Sequence, residues 1–286
     1  MTEPVRLLDT PRHRMTWHGQ PEGARTLVIS FNPMKIGLAD TGFASDFILR
    51  LGHEHVFVAE GAGSFYQHLT LADFAAALAP LAGRYDRVFL YGSSLGGYAA
   101  LFYARAVEGT AVALSPRLPI HPYMARHMAK PVSTQPMLHP ALASVADPAA
   151  RPVVMFDPRD PADADFVATL VQPAHPAARL FPLPGAGHRV ARILAYQRVL
   201  KPLMAEVFAT GEVSAVPYDP ANRPRRHLAL AKEALAKGDL ATAGKFLAKV
   251  AREPSTAGFA EARWAWEEAS GHRMRVKTDA ARKRPG

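Results

Sequence analysis

Two kinds of apolar pattern alternate along the chain. Short, nearly continuous apolar runs are typical of strands buried on both faces, as in parallel sheets. Six such runs are predicted to be strands: 26–32, 55–60, 87–92, 110–115, 152–157 and 178–184. Segments with helical spacing of apolar residues lie between or after them, at 44–52, 71–83, 97–107, 163–171 and 188–208. This alternation predicts an α/β fold, a three-layer sandwich around a mostly parallel sheet.

The interval 116–151 interrupts this alternation. It is rich in proline, histidine and methionine, and it shows no sustained hydrophobic period. It follows a predicted strand at its carboxyl end, where open α/β sheets bind their ligands. We therefore predict that 116–151 forms a cap or lid within a main domain of residues 1–212, with an ordered connection as the alternative.

A different pattern begins after a proline-bearing linker at 213–224. Residues 225–271 contain two amphipathic helices followed by a third, and the stretch ALAKGDLATA at 234–243 joins the first two. This stretch resembles a tetratricopeptide hairpin, which implies a helical segment that could bind a protein partner. Such arrays usually need about three repeats for stability, and only one is visible.

The charge is concentrated at the C-terminal end. Of 34 Lys and Arg and 25 Asp and Glu, 15 and 7 lie from position 221 onward, so the first 220 residues are nearly neutral. The tail at 272–286 is basic and poor in apolar residues, and we predict that it is disordered. No aromatic residues alternate with its charges, which argues against a nucleic-acid partner.

Composition excludes several other classes. The 286-residue chain has no cysteine, which rules out a thiolate nucleophile and a cysteine-ligated metal. It has neither an apolar run near 18 residues nor an apolar signal core at the N-terminus, so we expect no membrane span and a cytoplasmic location. His53 and His55 have a spacing that could serve a metal, but no third ligand is evident; we predict no metal and no cofactor.

The stretch VFLYGSSLGGYAAL at 88–101 contains three glycines and two adjacent serines at a predicted strand-to-helix turn. Gly92, Ser94 and Gly96 fit the pattern Gly-x-Ser-x-Gly, in which a strained turn exposes the central serine. A phosphate-binding turn is the alternative, but the Lys-Ser/Thr of that motif is missing. We predict that Ser94 is a nucleophile and that Ser93 points into the fold.

A serine nucleophile needs a base, and the base needs an orienting group. His188 follows the loop 185–187 (GAG) at the end of a predicted strand, where its ring could reach Ser94. For the acid we favour Asp160, with Asp157 as the second choice. Asp160 could instead be a helix N-cap before a proline.

The remaining acids of this region and the oxyanion donors are also predicted from their positions. Asp163 and Asp165 are expected to face solvent. The backbone N–H of Leu95, directly after the nucleophile, is one expected oxyanion donor. Phe31 or Asn32, after the first predicted strand, is expected to supply the second, with a simple turn at Asn32 as the alternative.

Together these motifs resemble the α/β-hydrolase superfamily over residues 26–208. The motifs are GSSLGG at 92–97, RDP at 159–161 and GAGH at 185–188, in the order that the superfamily uses. The resemblance implies a triad of Ser94, Asp160 and His188. The chain has Ser-Phe-Asn at 30–32 where a His-Gly pair often follows the third strand.

Three further stretches, YGSSLGGYAALFYA, SFYQ at 64–67 and ALSPR at 113–117, are similar to an uncharacterised bacterial branch with links to surface polysaccharides. This similarity implies a small-molecule or polysaccharide-linked acyl ester as the substrate.

Three functions follow from these features. The first is a serine hydrolase that cleaves an ester or thioester. The second is an acyltransferase that moves the acyl group to a sugar or another alcohol from the same site. The third is a non-catalytic binding protein that acts through its C-terminal helices, but a chain without catalysis has no need for a serine, an acid and a histidine together.

Overall fold

A computed structural model describes residues 3–20, 23–34 and 37–276. The chain divides into two compact units, one of residues 1–191 with 200–216 and one of residues 192–199 with 217 onward. The short segment 192–199 thus groups with the C-terminal helices. The boundaries at 212 and 224 stay predictions, and the predicted disordered tail lies outside the described residues from position 277.

An eight-stranded sheet forms the centre of the first unit, in the order β1-β2-β4-β3-β5-β6-β7-β8. Its strands are β1 (Val5–Asp9), β2 (His13–His18), β3 (Thr26–Phe31), β4 (Glu54–Glu60), β5 (Arg87–Ser93), β6 (Thr110–Leu114), β7 (Val153–Phe156) and β8 (Arg179–Pro182). All neighbouring pairs from β4 to β8 are parallel. Every position of β3 and β4 is buried, as expected for strands covered on both faces. The predicted α/β fold with a mostly parallel sheet is therefore confirmed.

The N-terminal strands β1 and β2 were not predicted from the sequence. They form an antiparallel hairpin, and β2 also pairs antiparallel with β4. The sequence of β2, HRMTWH, has too few apolar residues to indicate a strand, yet four of its six positions are buried. Pairing with β4, and not local hydrophobicity, determines this strand.

Helices lie between the strands and after the last of them. They are α1 (Ser45–Arg50), α2 (Leu71–Leu78), α3 (Leu95–Tyr103), α4 (Leu142–Val145), α5 (Pro161–Phe166), α6 (Gln172–Ala174), α7 (Val190–Tyr196) and α8 (Leu200–Thr210). Helices α2 and α3 continue into 3-10 turns at Ala79–Leu81 and Ala104–Val107, and α5 continues into a π-helical turn at Val167–Val171. The single helix predicted over 188–208 is wrong, because Arg198 adopts a φ of 63° and the chain turns between α7 and α8.

The insertion 116–151 contains one short 3-10 turn at Pro122–Arg126 and α4, and is otherwise irregular. Its second half is attached to the rest of the unit through His139. The ring of His139 stacks on Phe102 with 3.9 Å between centroids, and its Nδ1 lies 2.8 Å from the Tyr98 hydroxyl. Gln67 accepts hydrogen bonds from two successive backbone N–H groups, those of Leu138 and His139. That the insertion acts as a lid stays a prediction.

The second unit contains α9 (Pro224–Ala236), α10 (Leu240–Val250) and α11 (Phe259–Ser270). The helices share a small apolar core of Leu228, Ala231, Leu247, Val250, Ala251, Phe259 and Ala262. Gly244 of α10 lies against the Trp266 ring, where a Cβ atom would come within 2.7 Å of it. No helix within the described ranges has both the length and the apolar character needed to cross a bilayer.

Candidate active site

The turn between β5 and α3 has the geometry of a nucleophile elbow. Ser94 adopts φ 57° and ψ −119°, a region that residues with a side chain rarely occupy. It directly precedes Leu95, the first residue of α3, and its side chain is partly exposed. Strain of this kind is stored where the surrounding structure holds the backbone in place.

The glycines of the motif are required by close backbone contacts. A Cβ atom on Gly92 would come within 2.1 Å of the Gly96 carbonyl oxygen, and one on Gly96 within 2.6 Å of the Phe31 carbonyl oxygen. Neither neighbour is a flexible side chain, so no rotation could relieve these clashes. The glycines therefore allow β3, β5 and the first turn of α3 to approach each other around Ser94.

The end of β6 holds the elbow from the other side. The Ser94 N–H donates to the Leu114 carbonyl oxygen at 2.9 Å, and the Arg117 N–H donates to the Ser94 carbonyl oxygen at 3.1 Å. Ser115, between these two partners, also has a positive φ of 44°. The turns that follow β5 and β6 thus hold the backbone of Ser94 through two hydrogen bonds.

Ser94, His188 and Asp163 form a hydrogen-bonded series. Ser94 Oγ lies 2.9 Å from His188 Nε2, and His188 Nδ1 lies 2.8 Å from Asp163 Oδ1. Asp163 is fully buried, whereas the His188 side chain is about a quarter exposed. A hydroxyl, an imidazole and a buried carboxylate in this order are the groups that activate a serine nucleophile.

The acid in contact with His188 differs from the predicted one. Asp160 accepts hydrogen bonds from the backbone N–H groups of Ala162 and Asp163, so it is the N-cap of α5, which was the alternative interpretation. Asp163 was expected to face solvent, and that expectation is wrong. With Asp160 as the cap, Asp163 occupies the third helical position and lies at the N-terminal end of α5, which follows the carboxyl end of β7.

Asp157, the second choice for the acid, supports the loop that carries His188. Its Oδ1 accepts the N–H groups of Arg159 and Gly185 at 2.9 Å each, and its Oδ2 accepts the N–H of Gly187 at 2.6 Å. Gly187 directly precedes His188 and has a φ of 67°. Asp157 therefore ties the end of β7 to the histidine loop, without a hydrogen bond to the histidine ring among those the structure gives.

We expect Asp157→Asn to lower kcat about tenfold or more and to reduce the free energy of unfolding by about 1–3 kcal/mol. An amide has one acceptor oxygen, so its NH₂ group would face a backbone N–H donor and the loop would shift. Urea unfolding and steady-state rates measure the two effects. Asp147→Asn is the matched control, because exposed Asp147 accepts a single backbone bond from Ala149. Equal rates and stabilities for the two variants would contradict the expectation.

The predicted oxyanion donors follow β3 and β5. As the first residue of α3, Leu95 has an N–H without a carbonyl partner inside its own helix. Phe31 ends β3 and pairs with Gly92 of β5. Asn32 donates its backbone N–H to the Val58 carbonyl oxygen at 3.2 Å and one N–H of its side-chain amide to the Gly37 carbonyl oxygen at 3.3 Å. The roles of Leu95, Phe31 and Asn32 stay predictions.

His53 and His55, considered above as a metal pair, have separate surroundings. The His55 ring is fully buried, and its Nε2 lies 2.9 Å from Ser30 Oγ. Burial, with a smaller contribution from the neighbouring His18, lowers the pKa of His55 to about 3. Burial also lowers the pKa of His53, whose ring packs edge-on against Phe208. In the described part of the chain no three histidine, aspartate or glutamate side chains are grouped as metal ligands would be.

Comparisons with known proteins found structures that are similar to this chain. A sugar hydrolase, YeeB, from Lactococcus lactis matches with a TM-score of 0.54 at 10% identity, over 73% of this chain and 98% of its own. The glycosylation-associated protein Gap123 complex from Streptococcus agalactiae matches with a TM-score of 0.53 at 14% identity, over 74% of this chain and 48% of its own. Est1E from Butyrivibrio proteoclasticus matches with a TM-score of 0.47 at 14% identity, over 73% of this chain and all of its own.

The sequence comparisons give no relative. No family model matches the chain, and no curated protein is similar to it. The sheet order, the elbow after β5 and the structural matches agree on the α/β-hydrolase fold, as the sequence motifs predicted. At 10–14% identity these matches concern the fold, so the function has to be argued from the site itself.

Proposed function

We propose that this protein is a serine hydrolase that cleaves an ester or thioester through an acyl-enzyme on Ser94. The observation that carries the proposal is the hydrogen-bonded series from Ser94 Oγ through both nitrogens of His188 to the buried carboxylate of Asp163. Its second support is the strained backbone of Ser94, since strain of this kind clusters at active sites.

In the first half of the reaction, Ser94 Oγ attacks the acyl carbon while His188 Nε2 takes the hydroxyl proton. Asp163 keeps the proton on Nδ1 facing its carboxylate, so that Nε2 is the free base, and it stabilises the imidazolium that forms. The tetrahedral intermediate collapses when His188 returns the proton to the leaving alcohol or thiol. Water, activated by the same nitrogen, then attacks the acyl-enzyme and releases the acid.

The developing oxyanion requires preorganised donors. The Leu95 N–H at the start of α3 is the first, since it directly follows the nucleophile. For the second, the Asn32 side-chain amide is the better candidate than its backbone N–H. Its bond to the Gly37 carbonyl oxygen is long and could be exchanged for one to the oxyanion.

Labelling with a fluorophosphonate probe tests the proposal without knowledge of the substrate. The wild-type protein should be labelled and should hydrolyse short p-nitrophenyl esters, and Ser94→Ala should abolish labelling and lower kcat by at least about 10⁴-fold. Ser93→Ala is the matched control, because Ser93 is the adjacent hydroxyl at the end of β5 and should not be required.

Two results would refute the proposal. Absence of labelling in folded wild-type protein would mean that Ser94 is not activated. Equal labelling of Ser94→Ala and wild-type protein would mean that the probe reacts with a different residue.

A further inference from the structure

Arg117 lies between the two carboxylates at the start of α5. Its Nη2 donates to Asp160 Oδ1 at 2.7 Å, and its Nη2 and Nε donate to Asp163 Oδ1 at 2.5 and 3.1 Å. The Arg117 side chain is only 17% exposed, and Asp163 is fully buried. Charge-assisted bonds of this kind are stronger than neutral ones, and the planar guanidinium fixes the direction of each.

The same oxygen serves both Arg117 and His188. Asp163 Oδ1 accepts the two Arg117 bonds and also the one from His188 Nδ1. Since all three bonds converge on one atom, the position of the guanidinium determines where this oxygen faces the imidazole.

Arg117 is also joined to the nucleophile through its backbone. Its N–H donates to the Ser94 carbonyl oxygen at 3.1 Å, after the strained turn at Ser115 and Pro116. A Cβ atom on Gly97, in the first turn of α3, would meet Pro116 at 3.2 Å, so this turn packs closely on the elbow. One residue thus connects the backbone of the nucleophile with the carboxylate that faces the base.

We propose that Arg117 is a positioning residue that sets the geometry of the His188–Asp163 pair. Its planar guanidinium fixes the carboxylate of Asp163 against His188, while its backbone N–H holds the strained turn of Ser94. The inference rests on the proposed function only for its effect on rate. The effect on the hydrogen bond between His188 and Asp163 concerns the structure alone.

The test compares Arg117→Gln and Arg117→Lys with wild-type protein and with Arg126→Gln. Arg126 is the matched control, since it also pairs with an α5 carboxylate, at 2.7 Å from Asp165, but is 60% exposed and has no bond to Asp163. The first readout is the ¹H NMR signal of the proton on His188 Nδ1, which reports the hydrogen bond to Asp163 and is assigned by its loss in the His188→Gln variant. The second is the rate of fluorophosphonate labelling at a fixed pH.

For Arg117→Gln we expect the His188 Nδ1 proton signal to move upfield or to be lost, because the charge-assisted bonds that hold Asp163 Oδ1 against the ring are removed. The labelling rate should fall about tenfold or more. Arg117→Lys keeps the charge but loses the planar fork, so its labelling rate should also fall. Arg126→Gln should match wild-type protein in both readouts.

An unchanged His188 Nδ1 proton signal in folded Arg117→Gln overturns the inference, as does a labelling rate in Arg117→Lys equal to that of wild-type protein. If Arg117→Gln does not fold, the inference is decided by the labelling rate of Arg117→Lys. Failure of the proposed function has a different signature. Wild-type protein would then resist labelling, while the Nδ1 proton signal would still change in Arg117→Gln if Arg117 has the role inferred here.

Discussion

Asp163→Asn is expected to lower kcat by about 10⁴-fold, while Asp160→Asn leaves it within about fivefold of wild type. An amide at 163 can bond to His188 Nδ1 with its NH₂ group, which would hold the ring in the tautomer that carries its proton on Nε2. In that tautomer His188 cannot accept the Ser94 proton. At 160, asparagine is as good an N-cap as aspartate, so α5 would begin where it does now.

Steady-state hydrolysis of a p-nitrophenyl ester by the two variants measures the difference. Both substitutions remove one negative charge next to Arg117, which makes them a matched pair with respect to that cation. A large loss of kcat in Asp160→Asn and a small one in Asp163→Asn would mean that Asp160, the acid predicted from the sequence, is the partner of His188.

Loss of stability in mild acid is the second large effect that we expect. Three buried histidines hold their rings away from water, and burial is the main cause that lowers the pKa of His13 to about 4, of His55 to about 3 and of His139 to about 4. Each binds a proton in the unfolded chain near pH 6.5 but resists it in the folded one. The unfolded state therefore gains protons first as the pH falls, and stability falls with it from about pH 6.5 towards pH 3–4.

The magnitude is large compared with typical stabilities. Within this window each such histidine lowers the free energy of unfolding by about 1.4 kcal/mol per pH unit. As an upper limit, the three together would lower it by about 8 kcal/mol between pH 6.5 and 4.5. The free energy of unfolding of a whole domain is about 5–15 kcal/mol. We expect the urea midpoint to fall steeply below pH 6.5 and the first unit to unfold without denaturant near pH 4.5.

Urea unfolding followed by circular dichroism at several pH values between 7.5 and 4.5 measures this slope. His55→Asn should be less stable at pH 7.5, since it loses packing. Its free energy of unfolding should depend less steeply on pH, by the uptake of about one proton on unfolding. His272→Gln is the control, because His272 is exposed and should leave the slope unchanged. A wild-type stability that does not vary between pH 7 and 5 would contradict the expectation.

The sheet could be predicted where apolar residues are nearly continuous. The predicted bounds of the six strands from β3 to β8 agree with the structure to within about two residues, although no position of β8 is fully buried. The hairpin of β1 and β2 could not be predicted, because the polar residues of β2 are buried only through contact with β4 and the loops around it. One example is His18, whose ring nitrogen lies 2.8 Å from the Asp40 carbonyl oxygen.

By itself the sequence determined the elbow, because its requirements are local. Gly92 and Gly96 admit a backbone approach that no other residue permits, and the adjoining strand and helix are visible as apolar patterns. Which carboxylate meets His188 was decided by the tertiary structure alone. Several aspartates follow β7 within nine residues. Which of them contacts His188 depends on where α5 begins and on the position of Arg117. Arg117 precedes Asp160 by 43 residues and Asp163 by 46 residues in the sequence. Hydrogen bonds between distant segments have no local pattern, so only the folded chain shows that Asp157 holds the loop, Asp160 caps the helix and Asp163 faces the histidine.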